Sequence, residues 1–511
     1  MSEWPPKPFI YEINTWVWLN TLSRTHDCPI TLDTVPDEAL DDLAALGIDA
    51  VWMMGVWTRS PMAIQTAHKY SAQYLYALPD LTDHDLIGSA YAVGAYQVDE
   101  NLGGRVGLAA FRKRLQERGL RLILDYVPNH VAIDHAWVRT HPEYLVRGKV
   151  DDLARDGSSF FSATDILGRT VVVAHGRDPY YPGWIDTAQV NAFSPAYRQA
   201  ALSILFDIAS QCDGVRCDMA MLLLNDIFSH VWGDYVGKPL PKEFWTEIIP
   251  PVKAAYPNFL FMAEVYWNLE YTLQQLGFDF TYDKVLFDRV ISAHPSNIRD
   301  HLVADVSFQR KLIRFIENHD EPRAMETLGP RKSRPAAALT FTLPGAVLIH
   351  DGQLSGRRIK LPVQIGRQPD EPFDEDLYDF YRRLLAETRS SIYQDGDWWL
   401  FETLPAATEI GETDANEIQA AENHIDQHQN ILAYGWRNHS DSRLIVVNLT
   451  PEPSAAVIDL STWDGFAWGH FHLHEVLRDI SLPAPVDRLQ EPTLFVELGP
   501  YEANIFRVES Y

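Results

Sequence analysis

The sequence predicts an α/β fold: a (β/α)8 barrel with a small inserted domain after its third strand and a C-terminal antiparallel β-domain. Three observations carry this expectation. Apolar strand-like runs alternate with amphipathic helical stretches through most of the chain, which is the pattern of a parallel sheet wrapped by helices. Four of the runs end in carboxylate, imidazole or amide side chains, as the strands of a parallel barrel do at the face that holds a site. After about residue 392 the alternation gives way to short strands without helices, as in an antiparallel sheet or sandwich.

Phe9-Ile10-Tyr11-Glu12-Ile13-Asn14 follows a Pro-rich start and reads as the first strand. Asp37 and Glu38 precede Leu40, Leu43 and Leu46 at helical spacing, and Gly47 closes that helix. Ile48 to Met54 is a buried strand. Leu108, Phe111 and Leu115 share one face of a second helix, which Gly119 ends. The strand reaching Asp125 is the third. From Val131 to Phe193 the alternation fails, and the stretch is too long for a structureless loop. It is expected to form an inserted domain. Ser194 then caps a helix with Pro195 in its first turn, presenting Tyr197, Ala201, Leu205 and Ile208 on one face. The fourth strand is Gly214-Val215-Arg216-Cys217-Asp218 and the fifth runs through Phe259 to Glu264. Phe278-Asp279-Phe280 marks a sixth, the run ending at Asp320 a seventh, and Ala346 to His350 an eighth. Leu377, Phe380, Tyr381, Leu384 and Leu385 give the closing helix. The expected division is a barrel of residues 1–130 and 194–391, an inserted domain 131–193 and a C-terminal β-sandwich 392–511, in which the acidic stretch 409–426 reads as a solvated loop or short helix.

Composition narrows the function. The chain has 511 residues, 46% hydrophobic and 22% charged, an ordinary balance for a large globular protein. Its net charge of −27 argues against nucleic acid and anionic membrane surfaces as partners. No run approaches the roughly 18 apolar residues of a membrane helix. Cys28, Cys212 and Cys217 are too few for a disulfide framework. The N-terminus lacks the basic-then-apolar pattern of a secretory signal, so the expected setting is the cytoplasm. No phosphate loop, zinc spacing or calcium-loop motif occurs. Fifteen tryptophans suit a sugar-binding protein, since aromatic faces pack on apolar sugar faces; Trp57, Trp184 and Trp267, near motif ends, are the expected contacts.

Along a strand alternate side chains share a face, so Arg216 and Asp218 point the same way. An Arg–Asp pair facing inward is costly in a packed core, but at a barrel strand's C-terminal end it makes an oriented carboxylate beside its cation. The other chemically armed ends are Asp125-Tyr126-Val127-Pro128-Asn129-His130, Ala263-Glu264-Val265 and Glu317-Asn318-His319-Asp320. In this order and spacing, the four runs resemble the signature regions of the α-amylase family, glycoside hydrolase family 13.

The resemblance implies a TIM barrel and a retaining glycosidase, with Asp218 as nucleophile, Glu264 as acid/base and Asp320 as the third carboxylate, which steadies the distorted sugar. It implies that His130 and His319 hydrogen-bond sugar hydroxyls, and that Tyr91 in Tyr91-Ala92-Val93-Gly94 stacks on the same sugar. Arg216 is expected to keep Asp218 ionised, and Asp125 to brace Arg216 or the sugar. Retention needs two carboxyl groups roughly 5–5.5 Å apart, which neighbouring strand ends can supply. The expected activity is hydrolysis of α-glucosidic bonds in short oligosaccharides or small glucosides through a covalent glycosyl-enzyme. The alternative is transfer of the glucosyl unit to a sugar or polyol. A non-catalytic binding subunit is disfavoured, because all three carboxylates are present. No cofactor or metal is expected to be required; calcium is compatible, since Asn129 matches a family position that often binds it. Met221 and Leu222 stand where starch-acting members have a Lys-His pair, which points to short substrates. Asp186-Thr187-Ala188-Gln189-Val190-Asn191 occupies the place of the family's fifth region.

Overall fold

Eight parallel strands close into a barrel in chain order: β1 (Phe9–Asn14), β2 (Ala50–Met54), β3 (Arg121–Tyr126), β4 (Gly214–Cys217), β5 (Leu260–Ala263), β6 (Phe280–Tyr282), β7 (Leu312–Arg314) and β8 (Ala346–His350). The computed structural model describes residues 3–292, 294–406, 427–439, 441–463, 471–483 and 492–510. The acidic stretch 409–426 lies outside the described residues. By contact density the chain divides into two compact units. One comprises residues 1–4, 10–282 and 359–370, the other 5–9, 283–358 and 371–511.

In the first unit, β2, β3, β4 and β5 are buried along their whole length. That is why they read as continuous apolar runs rather than alternating ones: helices cover one face and the barrel interior the other. The expected helices form at Asp37–Ala45, Gly104–Glu117 and Pro195–Gln211. In the last, Ser194 Oγ accepts from Tyr197 N, and Tyr197, Ala201, Leu205 and Ile208 are buried. Gly214 opens β4 because a Cβ there would come within 2.9 Å of Leu260 Cβ. Registers of Arg216 against Asp125 and against Met262 set β4 between β3 and β5. β6 begins two residues later than expected, at Phe280: Phe278 is buried beneath Trp245 and Phe261, and Asp279 instead pairs with Lys253.

The stretch after β3 folds as small elements. His130–Ala132 pairs antiparallel with Thr187–Gln189, and Arg147–Gly148, Thr170–Ala174 and Phe160–Thr164 form a second sheet. Short helices occupy Ala136–Thr140 and Val150–Arg155.

The second unit holds β7, β8, the helices Gly329–Thr342 and Glu375–Thr388, and an antiparallel sheet. That sheet contains β9 (Asp397–Leu404), β10 (Ile431–Asn438), β11 (Asp441–Asn448), β12 (Ser454–Asp459), β13 (Phe471–Glu475), β14 (Ile480–Pro483), β15 (Thr493–Leu498) and β16 (Glu502–Ser510), in the order β14-β13-β16-β11-β10-β9-β12-β15. β9 is shared: Asp397 to Phe401 pair with β10, while Glu402 to Leu404 pair with β12. Phe401, Ala433, Val446, Ile458, Trp463, Val496 and Phe506 pack into one apolar cluster drawn from both halves.

Candidate active site

The site in the first unit is built on the ends of β2 to β6. Arg216 is fully buried. Its Nη1 donates to Asp218 Oδ1 at 2.6 Å and its Nη2 to Glu264 Oε2 at 2.7 Å. A planar guanidinium presents its donors as a fork, so one side chain orients both carboxylates at once. Nη1 also lies 3.8 Å from Asp125 Oδ1. Asp125 is itself held by Trp52 Nε1 at 3.2 Å on Oδ1 and by Gly55 N at 3.1 Å on Oδ2. Rings of Trp52, Tyr91 and Tyr282 stand 5.3, 5.1 and 5.8 Å from the guanidinium carbon. Burial alone would lower the Arg216 pKa, but Glu264, Tyr91, Tyr282 and Asp218 outweigh it and push it well above its usual value. The cation is permanent.

Asp218 and Glu264 are both buried. Beyond β4, Asp218 N bonds to Tyr126 O, and Met219 turns into the left-handed region at φ 45°. That turn aims Met219 N at Glu264 Oε2, 2.8 Å away. Tyr266 Oη sits 2.7 Å from Glu264 Oε1. Glu264 thus accepts three hydrogen bonds, two on Oε2 and one on Oε1 from the Tyr266 hydroxyl.

His130 is buried and its pKa is lowered to about 4 by that burial, a hydrogen bond to the Tyr91 backbone acting the other way. It is a neutral ring above that pH. Its ring centroid lies 5.0 Å from that of Trp184. The Tyr180 and Trp267 rings meet edge to face at 5.2 Å, with Tyr180 70% exposed. Trp267 and Asn268 both adopt positive φ, 64° and 59°, unusual for consecutive non-glycine residues, where strain tends to mark functional loops.

In the second unit, His319 and Asp320 follow β7. His319 Nε2 is 3.0 Å from Asp320 Oδ2. Asn318 Oδ1 accepts from the backbone N–H groups of Asp320 and Glu321, both at 2.9 Å, folding the loop back at the carboxylate. Fully buried Glu317 secures its base: Oε1 pairs with Arg323 Nη1 and Oε2 accepts from Ala324 N at 2.7 Å. Burial alone would raise the Glu317 pKa; the Arg323 charge and the His350 bond override this and lower it.

Two expectations are corrected. Met221 and Leu222 do not line a sugar-binding surface: the left-handed turn at Met219 tucks residues 220–223 inward, and both side chains are buried. Trp57 is buried too, its Nε1 donating to Asp125 O at 2.8 Å, so it supports the site from beneath. Sequence reasoning passed over Trp52, Gly55 and Tyr282. Tyr282 ends β6 and was within reach of the same strand-end logic; the other two carry no local signal.

The α-amylase catalytic-domain family model matches residues 34–164. The chain is 25% identical over 472 residues to α-amylase MalA of Haloarcula japonica, covering 90% of this chain and 58% of that protein. It is 23% identical over 376 residues to α-amylase 3 of Dictyoglomus thermophilum, covering 70% of this chain and 66% of the relative. Among solved structures, maltogenic α-amylase AmyB from Thermotoga neapolitana superposes with a TM-score of 0.68 at 19% identity, over 99% of both chains. The chain has the fold of that solved α-amylase and resembles the α-amylase catalytic domain in sequence over residues 34–164. It spans about three fifths to two thirds of the length of those two relatives. The carboxylates Asp218, Glu264 and Asp320 follow the barrel strands β4, β5 and β7 in the chain.

Proposed function

We propose that this chain is a retaining α-glycosidase of the α-amylase family that cleaves α-glucosidic bonds in short glucose oligosaccharides or small glucosides. The observation that carries the proposal is Arg216, whose one guanidinium binds Asp218 and Glu264 together. Two carboxyl groups a guanidinium's width apart fit the roughly 5–5.5 Å spacing of double displacement, not the roughly 6.5–9.5 Å that leaves room for a water between them. In this reading Asp218, paired with the Arg216 cation, attacks the anomeric carbon while Glu264 passes a proton to the departing oxygen. The same Glu264 then takes a proton from water, which hydrolyses the glycosyl ester. Asp320 and His319 bind hydroxyls of the distorted sugar, and neutral His130 offers one donor and one acceptor. Residues 131–193 form the domain that shapes the cleft, between barrel segments 1–130 and 194–391, with 392–511 as the C-terminal domain.

Trp184 beside His130, and Tyr180 against Trp267, are aromatic faces on which a short substrate can pack. No metal need take part in either displacement. Proton NMR of the first-formed product tests the mechanism: release of the α anomer is expected, and initial release of the β anomer would show that Asp218 and Glu264 are not a retaining pair. A second reading, glucosyl transfer to a sugar or polyol acceptor, is favoured by the exposed Tyr180 ring against Trp267, just beyond Glu264, a platform on which an acceptor sugar can stack. The α-1,4-glucan:maltose-1-phosphate maltosyltransferase of Rhodospirillum rubrum is 24% identical over 353 residues. Product analysis with added maltose or glycerol separates transfer from hydrolysis.

A further inference from the structure

Gln189 is fully buried at the end of the strand Thr187–Gln189, in register with His130. Three oxygens converge on its amide nitrogen: Asn129 O at 2.8 Å, Asn129 Oδ1 at 2.9 Å and Val190 O at 3.3 Å. Its Oε1 receives Arg177 N at 3.3 Å and Asn129 Nδ2 at 3.4 Å. One side chain thereby ties together the loop after β3, the returning strand and the Arg177 turn.

Oxygens converging from main chain and side chain are what a hard cation seeks, and family resemblance places a calcium position at Asn129. The donor set nevertheless does not fit the ion. Calcium takes six to eight oxygens at 2.3–2.6 Å, usually with carboxylates among them. Here the oxygens are neutral, and the centre of the group is filled by an N–H donor. Among the described residues no cluster of three or more His, Cys, Asp or Glu could hold a metal ion. A cation entering this place would displace the amide and leave a buried donor unpaired, which is costly.

We propose that the Gln189 amide stands in the place of a cation, so that the inserted segment is cross-linked to the barrel loop by hydrogen bonds and holds without metal. The amide satisfies Asn129 Oδ1 and the Asn129 carbonyl with its two hydrogens, and no ion is needed to neutralise a charge. The inference is independent of the glycosidase reading, because its test needs no substrate.

The test is thermal unfolding of the full chain in excess EDTA and in millimolar calcium chloride. For the wild type, the same midpoint is expected in both. Gln189→Glu replaces the donor with a carboxylate facing three oxygens. Its midpoint should fall by several degrees in EDTA and recover in proportion to added calcium. Gln189→Leu keeps the volume without the donors, and its midpoint should fall without recovering. A wild-type midpoint that drops in EDTA and returns with calcium would overturn the proposal. So would a Gln189→Glu protein whose midpoint ignores calcium, or a Gln189→Leu protein as stable as the wild type. If Gln189→Glu does not fold in EDTA, its recovery only when refolded in calcium counts in favour, and failure in both counts against.

Discussion

Replacing Arg216 by methionine removes the guanidinium while keeping most of its volume. In the folded protein that cation makes two charge-assisted hydrogen bonds, at 2.6 Å to Asp218 and 2.7 Å to Glu264, with no exposure to water. Hydrogen bonds to charged groups contribute about 1.5–3 kcal/mol each. Breaking a buried ion pair by deleting one partner costs about 3–5 kcal/mol, because the remaining charges stay buried without compensation. Here two carboxylates are left facing each other, so Arg216→Met should destabilise the protein by about 3–5 kcal/mol and abolish measurable turnover. Adding Glu264→Gln removes one of the two stranded charges. The double variant should regain stability relative to Arg216→Met, with a coupling of about 1–3 kcal/mol. The assay is guanidinium unfolding followed by tryptophan fluorescence for the four proteins of the cycle. A loss below about 1 kcal/mol for Arg216→Met, or a coupling of zero, would falsify the view that this cation carries both carboxylates.

Asp218→Asn, Glu264→Gln and Asp320→Asn should each lower kcat by about 10²–10⁴-fold or more in protein that still folds, since their work lies in the transition state; ordinary turnover by Asp218→Asn on a confirmed sequence removes it as nucleophile. On maltooligosaccharides of increasing length, kcat/KM should reach its maximum at a short chain, and a steady rise with starch as the best substrate and internal cleavage from the start rejects the short-substrate reading. Burial lowers the pKa of His135 to about 4, and its Nδ1 accepts from Trp137 N at the start of the helix Ala136–Thr140. Between pH 6.5 and 4 the unfolded chain binds the proton that the folded chain refuses, so stability falls as pH drops through that window, by about 3 kcal/mol for this group. His135→Asn keeps a capping acceptor but does not titrate; midpoints measured from pH 7 to 4 should decline less steeply for the variant, and an identical slope refutes the assignment.

The local part of the site was legible because the chemistry falls at strand ends within a few residues of an apolar run. Arg216 and Asp218 share a face through the two-residue period of β4, and Glu264, His319 and Asp320 each follow a short buried strand. The cap residue Ser194 and the glycines at 47 and 119 marked helix ends for equally local reasons. The misreading of Met221 and Leu222 shows the limit. Their place in a motif said what substitutes for what, whereas their burial follows from the backbone turn at Met219, which no pattern of side chains encodes.

By itself, the sequence determined the barrel, the order of its strands and the carboxylates at their ends, because hydrophobic period and capping act over a few residues. Only the tertiary structure decided that one guanidinium serves two carboxylates, that Trp52 and Gly55 hold Asp125, and that the Gln189 amide fills the oxygen cage at Asn129. Those contacts join residues 48 to 73 positions apart. They depend on strand register and on where the chain returns after the inserted segment, and these are settled by packing of the whole sheet rather than by any stretch of it.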